Sequence, residues 1–308
     1  MRKFNQKTLN DTINLYGVGL HNGVNANLIL KPAEENFGIK FCRVDIAKDN
    51  FIDANYKNVI EPILCTKIKN NKGTSVSTVE HLMAAFFGEG IDNVLVEIDA
   101  SEVPILDGSA IEFVEAIRAV GVKEQKEFRK FIKVLKKVEI KEGDKYISIE
   151  PLENDLIVDF EIVYKNPLIR TRRKEFKLSD GDLTNIYNSR TFCLYEDIDF
   201  IKSQGLAKGG SLENAVVVKE KEILNDDGLR NRHEFVYHKI LDCLGDLMLS
   251  GNRIFGHVKT SQGGHALTNK LLVKFFSDKS NWLVESSALV EKNNQIEDKS
   301  KKTLSANI

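Results

Sequence analysis

The chain has 308 residues, 42% of them hydrophobic, and 44 Lys plus Arg against 45 Asp plus Glu, a formal net charge of −1. That balance carries no basic footprint for nucleic acid or an anionic surface, and the length suits about two domains, each able to bury its own core. No apolar run approaches the roughly 20 residues of a membrane helix, Met1–Asn10 is polar and unlike a secretory signal, and Cys42, Cys65, Cys193 and Cys243 form no CxxC pair, which suits reduced thiols in a cytoplasmic protein better than disulfides or a thiolate zinc site.

The first segment reads as strands and turns. Ile13–Tyr16 leads into the turn Gly17-Val18-Gly19-Leu20-His21-Asn22-Gly23, Ala26–Leu30 ends at Lys31-Pro32, and Gly38–Val44 is a further strand. The paired glycines make no nucleotide loop, because neither GxGxxG nor a Lys-Ser/Thr follows. His21, in a turn before a strand, reads as a structural hydrogen-bonding residue. Ser77–Gly88 is a short helix burying Val79, Leu82, Met83, Phe86 and Phe87. Ser77-x-x-Glu80 matches a capping box, which alone would explain the glutamate. Yet Glu80 directly precedes His81, a pairing that would set a general base beside a metal ligand. Ile91–Ile98 is a strand, and Asp107-Gly108-Ser109 caps a second helix carrying Ile111, Phe113, Val114 and Ile117.

Gly121 to Lys130 is charged and poor in large apolar residues, and the domain boundary is placed there, giving domains over 1–125 and 126–290. The pattern then restarts: Glu139–Pro151 echoes Leu20–Pro32 as strand, glycine turn, strand and proline. Lys208-Gly209-Gly210-Ser211 reads equally as a phosphate loop or a plain turn.

Glu234–Leu247 reads as a helix with Val236, Ile240, Cys243 and Leu247 on one stripe and His238, Asp242 and Asp246 on the opposite side. An imidazole and a carboxylate one turn apart can reach a single metal ion, although such a pair is commonly just a solvated ion pair. Leu241 and Leu249 flank the row and point to a covered face. His233-Glu234 with His238 is not an HExxH motif, since five positions turn about 140° around a helix. The His-to-Gly spacing of His238 and Gly245 equals that of His81 and Gly88, which suggests two domains of like design whose facing helices bring His81 to His238 and Asp242. Gln262–Asn269 then sets His265 on a glycine-rich loop before an apolar helix with Leu271, Leu272, Phe275 and Phe276. From Glu291 the polar chain reads as a disordered tail over 291–308.

Seven stretches now stand in order: Gly-Val-Gly-Leu-His (17–21), Ser-Thr-Val-Glu-His-Leu (77–82), Val-Pro-Ile-Leu-Asp-Gly-Ser-Ala (103–110), Ser-Arg-Thr-Phe (189–192), Gly-Gly-Ser-Leu-Glu-Asn-Ala (209–215), Glu-Phe-Val-x-His-Lys-Ile-Leu-Asp (234–242) and Gly-His-Ala-Leu-x-Asn-Lys (264–270). Together they closely resemble the UDP-3-O-acyl-N-acetylglucosamine deacetylase family, from about Thr8 to Ser286. Tyr237, where the family has a basic residue, and Asn231-Arg232-His233 depart from its pattern. The resemblance implies an α+β fold of two similar domains, a β-α-α-β sandwich with the helices between two sheets. It implies a cytoplasmic, Gram-negative zinc hydrolase that removes the N-acetyl group of UDP-3-O-(3-hydroxyacyl)-N-acetylglucosamine, the committed step of lipid A synthesis. His81, His238 and Asp242 are then the ligands of one Zn2+ per chain, with Fe2+ fitting the same set. Glu80 is the base, His265 the cationic partner oriented by Asp246, and Thr191 the oxyanion donor. Lys239 and Phe192 hold the sugar nucleotide, and about 193–218 form an apolar passage for the acyl chain. No nucleic acid and no obligate protein partner is implied.

Other readings of the same residues are a zinc amidohydrolase of this fold acting on another acylated sugar nucleotide, a zinc aminohydrolase or peptidase, and a binding protein whose zinc only joins its halves. The last needs a fourth protein ligand, for which the sequence offers no candidate.

Overall fold

The computed structural model describes residues 5–60 and 63–286; the tail expected over 291–308 lies outside the described residues. Among the described residues, two larger sheets and six α-helices make up a mixed α+β fold, the class expected. In the first sheet the order is Ile13–Val18, Asn25–Pro32, Val94–Ile98, Ile39–Arg43 and Phe51–Asp53, antiparallel except that Ile39–Arg43 runs parallel to Val94–Ile98. Period-two alternation explains it: Ala26, Leu28 and Leu30 are buried while Asn25 and Asn27 are exposed. The glycine turn after Val18 closes through Gly19 N–H to Val24 O (2.9 Å), and the buried carboxylate of Glu102 accepts the N–H groups of His21 (2.8 Å) and Asn22 (2.7 Å).

The second sheet has seven strands gathered on Arg253–Ser261. The early part of that strand pairs parallel with Lys130–Val134. Its later part lies between Lys145–Glu150, antiparallel, and Leu156–Ile162, parallel. Val138–Glu142, Arg172–Lys177 and Trp282–Ser286 complete the sheet. The charged stretch at which the sequence places its domain boundary is not an irregular linker. Val122–Phe128 is a strand, paired antiparallel with Asn5–Leu9 in a two-stranded ribbon. Most of its side chains are exposed, so its charge reflects a ribbon held by backbone pairing and not by burial.

The helices are α1 (Glu80–Glu89), α2 (Ile111–Val120), α3 (Thr184–Tyr187), α4 (Ile198–Ser203), α5 (Glu234–Met248) and α6 (His265–Ser277). Among the described residues no helix is long and apolar enough to cross a membrane. The capping box does not form. Thr78 takes φ 57°, the helix begins only at Glu80, and Ser77 donates its hydroxyl to Ser101 O (3.2 Å). Ser109 does serve the start of α2, its Oγ accepting from Ile111 N (3.1 Å).

Helix α1 packs against α2 and α5; α5 lies on Leu156–Ile162, Arg172–Lys177 and Arg253–Ser261, and α6 on Val138–Glu142 and Lys145–Glu150. One apolar cluster runs through both halves, joining Leu28 and Val96 of the first sheet to Ile147 and Val158 of the second. From Glu80 to Phe87 every residue of α1 is buried, so the helix has no solvent face. The α1–α5 contact is tight at Gly245: a Cβ there would fall inside the van der Waals envelope of the Glu80 carbonyl group. On an exposed helix Gly→Ala gains about 1 kcal/mol. Here Gly245→Ala is expected to lose roughly 1–3 kcal/mol by overpacking, read as a lower midpoint in urea or thermal melts.

Candidate active site

Because α5 advances one turn every four residues or so, His238, Asp242 and Asp246 stack along one side, and all three are buried. His81 arrives from α1, its ring edge-on to His238 with centroids 5.1 Å apart. Asp242 Oδ1 lies 3.4 Å from His238 Nε2 and 3.6 Å from His81 Nε2, and has no hydrogen-bond partner among the described residues. A buried carboxylate oxygen in that condition needs a cation or donor. The His238 Nδ1–H donates to the Ser189 carbonyl (3.1 Å), which leaves Nε2 with its lone pair toward the cluster. Burial holds His238 down at about 3, outweighing the pull of Asp242, so the ring is neutral. One ligand atom each from His81, His238 and Asp242 lies within 4.8 Å of the others. Two imidazole nitrogens and one carboxylate oxygen, converging and buried, form a donor set that fits a divalent zinc ion. The other Asp242 oxygen accepts from Lys239 Nζ (2.9 Å); burial alone would raise this carboxyl, but the neighbouring Lys239 and His265 cations outweigh it and hold it well below its ordinary range.

A second group adjoins the first. Glu80, buried, accepts the Thr66 N–H at Oε2 (3.0 Å), and its Oε1 is 3.7 Å from His265 Nε2. Burial pushes the Glu80 carboxyl upward. His265, at the first turn of α6, donates Nδ1–H to Asp246 Oδ2 (2.9 Å), and its Nε2 is 3.9 Å from Asp242 Oδ2. Burial alone would lower His265, but Asp246 and Glu80 outweigh it and bring it to about 10, a cation at neutral pH. The neighbouring Cys65 thiol is pushed up to about 12 by burial, and so is protonated.

His265 and Lys239 also line a cavity of about 800 Å³, whose wall includes Thr191 and Phe192 with apolar Leu194, Ile198, Ile201 and Val217. The segment that follows Thr191 builds much of this wall from α4 and a small sheet of Phe192–Leu194, Val216–Lys219 and Glu222–Ile223. Lys239 Nζ stands 5.7 Å from the centre of the Phe192 ring. The Lys-Gly-Gly-Ser run is a docking turn: the N–H groups of Lys208 and Gly209 donate to the carbonyls of His21 (3.2 Å) and Leu20 (3.0 Å). Those amides are therefore engaged and do not cradle a phosphate. His21 is buried in this junction and also lines the cavity.

Residues 6–277 match the family UDP-3-O-acyl N-acetylglycosamine deacetylase. The UDP-3-O-acyl-N-acetylglucosamine deacetylase of Mannheimia succiniciproducens is 41% identical over 280 residues, 90% of this chain and 92% of that protein. The similarly named protein of Actinobacillus succinogenes is 42% identical with the same coverage, and that of Shewanella pealeana 40% identical over 284 residues, 91% of this chain and 92% of its own.

Sequence reasoning missed the groups that brace the site. Glu234, fully buried at the first position of α5, accepts from Arg190 N (3.1 Å) and Nε (2.8 Å) and from Arg230 N (2.7 Å). Arg190, itself 2% exposed, also reaches Asp227 (2.8 Å) and Gly228 O (2.6 Å). This pair ties the chain around Ser189, Thr191 and Phe192 to the start of α5. A long cationic side chain defaults to the surface, and no periodicity marks Arg190 as inward. Arg190→Met leaves the Glu234 carboxylate without its cation, and the expected loss is roughly 3–5 kcal/mol of stability, measurable as a lower urea midpoint.

Proposed function

The chain belongs to the UDP-3-O-acyl N-acetylglycosamine deacetylase family, and from that footing we propose that it hydrolyses the acetamide of UDP-3-O-(3-hydroxyacyl)-N-acetylglucosamine to the free amine and acetate, the committed step of lipid A synthesis, with one zinc ion per chain. The carrying observation is the convergence of His81, His238 and Asp242 with Glu80 and His265 beside a cavity with an apolar wall. His81, His238 and Asp242 would hold the metal. Three protein ligands suit a hydrolytic ion, which when bound would supply Lewis acidity, making water nucleophilic near neutral pH and polarising the carbonyl.

In this reading the chain's own residues divide the remaining work. Glu80 Oε1 takes the proton from water as water adds to the acetamide carbon, and burial, by raising the basicity of Glu80, suits it to that step. The negative charge gathering on the former carbonyl oxygen faces the Thr191 hydroxyl and cationic His265. As the C–N bond breaks, the proton that Glu80 took from water, or the Nε2 proton of cationic His265, passes to the departing nitrogen and acetate is released. Asp246 fixes the His265 ring through Nδ1 and favours its charged form. Lys239, a cation beside the face of Phe192, suits the diphosphate and sugar of the substrate, and the apolar wall from Leu194 to Val217 suits its acyl chain.

Metal analysis with acetate release from UDP-3-O-(3-hydroxyacyl)-N-acetylglucosamine tests the proposal. Wild type is expected to carry one zinc per chain, to lose activity on chelation and to regain it with zinc. His238→Ala is expected to lose the metal and to fall in activity by more than about 100-fold, the upper end of what losing a metal's outer partner costs. Active, metal-free wild type would overturn the zinc assignment, iron in place of zinc would correct the ion, and a metal-loaded but inactive wild type would overturn the substrate. Glu80→Gln is expected to keep the metal and to lose about 10²–10⁴-fold in kcat; a smaller loss removes Glu80 as the base.

A further inference from the structure

Thr66 is 1% exposed and lies in no helix or strand, yet it touches both acidic members of the second group. Its N–H donates to Glu80 Oε2 (3.0 Å), and its hydroxyl donates to Asp246 Oδ1 (2.5 Å). Its carbonyl accepts from Val79 N (3.3 Å), the residue before α1. One residue is thus bonded to the first turn of α1 and to the polar row of α5, at the crossing where Gly245 meets Glu80.

These bonds have a geometric consequence. A carboxylate held at one oxygen can still swing about its terminal torsion, which is broad for Asp and Glu. Asp246 is held at both oxygens, Oδ1 by Thr66 and Oδ2 by His265 Nδ1. Its plane is fixed, and with it the His265 ring, whose Nε2 then faces Glu80 Oε1 at 3.7 Å and Asp242 Oδ2 at 3.9 Å. Glu80 is held at Oε2 by the same residue, so its free oxygen is the one nearer His265. Only a hydroxyl can make the Asp246 bond, whereas the amide that holds Glu80 is present whatever the side chain.

We propose that Thr66 is a positioning residue that acts through its hydroxyl on Asp246 to set the orientation of His265, while its backbone amide sets Glu80. The proposal rests on the deacetylase reading for its kinetic consequence, and on geometry alone for the orientation of His265.

Thr66→Val keeps the shape and the amide but removes the hydroxyl; Thr66→Ser restores the hydroxyl. With wild-type metal content in both variants, Thr66→Val is expected to lose about 10–100-fold in kcat with KM changed less than about threefold, and Thr66→Ser to recover most of that loss. In 15N-edited proton spectra the His265 Nδ1–H resonance, identified by its loss in His265→Gln, is expected to move in Thr66→Val and to stay near its wild-type position in Thr66→Ser. An unmoved resonance in Thr66→Val overturns the proposal, as does a kcat within twofold of wild type or an equal loss in Thr66→Ser. Should Thr66→Val fail to fold, Thr66→Ala against Thr66→Ser carries the same comparison. A wild type that does not deacetylate overturns the functional reading, and the resonance still decides for or against Thr66.

Discussion

The site depends on two helices approaching more closely than side chains ordinarily permit. At Gly245 the backbone of α5 rests against the Glu80 carbonyl of α1, and glycine is the residue that admits another backbone so near. That contact carries His81 to within 3.6 Å of Asp242 and sets Glu80 beside His265. Any side chain at the crossing would part the helices and with them the groups that each contributes. The same closeness buries Glu80, Asp242, Asp246, His81, His238 and His265 together, so no carboxylate there can be satisfied by solvent. Most of the need is met locally: Thr66 serves Glu80 and Asp246, His265 serves Asp246, and Lys239 serves one oxygen of Asp242. The other Asp242 oxygen faces two imidazole nitrogens, which is the arrangement a cation resolves.

Around this centre an outer layer of bonds converts loop segments into fixed scaffolding. The Arg190–Glu234 pair clamps the chain before the small sheet to the start of α5, and the Ser189 carbonyl, one residue away, determines which His238 nitrogen carries its proton. On the other side of the cavity wall, Glu102 holds the His21 turn, and that turn accepts the amides of Lys208 and Gly209. Gly209 is required for the approach, since a Cβ there would strike Gly19 O. A loop from the first half of the chain is thereby fastened to the segment that forms the apolar wall.

What the sequence made legible follows from which forces leave a periodic trace. Apolar spacing located α1, α5 and α6, and the polar row of α5 stood out because His238, Asp242 and Asp246 repeat at the helical period. Interactions made by single atoms left no such trace. Ser77 and Glu80 have capping-box spacing, but Thr78 in the left-handed region places the helix start two residues later than that motif needs. Val122–Phe128 lacks the alternation of a half-buried strand because its ribbon has little burial to record. Arg190, Glu234, Glu102 and Thr66 act through specific long-range hydrogen bonds, and nothing in their immediate neighbours announces the partner.

The equal His-to-Gly spacing in the two helices sets unlike residues at like positions. Aligned on their histidines, His238, Asp242 and Asp246 of α5 correspond to His81, Ala85 and Glu89 of α1. A carboxylate at position 85 would add a further buried negative charge to a site that already holds three. Ala85, fully buried, adds none and lets the facing helix lie close. Glu89, at the end of α1, is instead engaged by Arg118 (2.8 Å) and the Tyr187 hydroxyl (3.0 Å). In the other direction, the residue before the histidine is Glu80 on α1 and half-buried Tyr237 on α5, where Tyr237 packs against His233. The two glycines diverge as well: Gly245 makes room for the Glu80 backbone, whereas Gly88 makes room for the Tyr187 ring. Like positions on the two helices therefore carry complementary side chains, and the chemistry belongs to the pair and not to either helix.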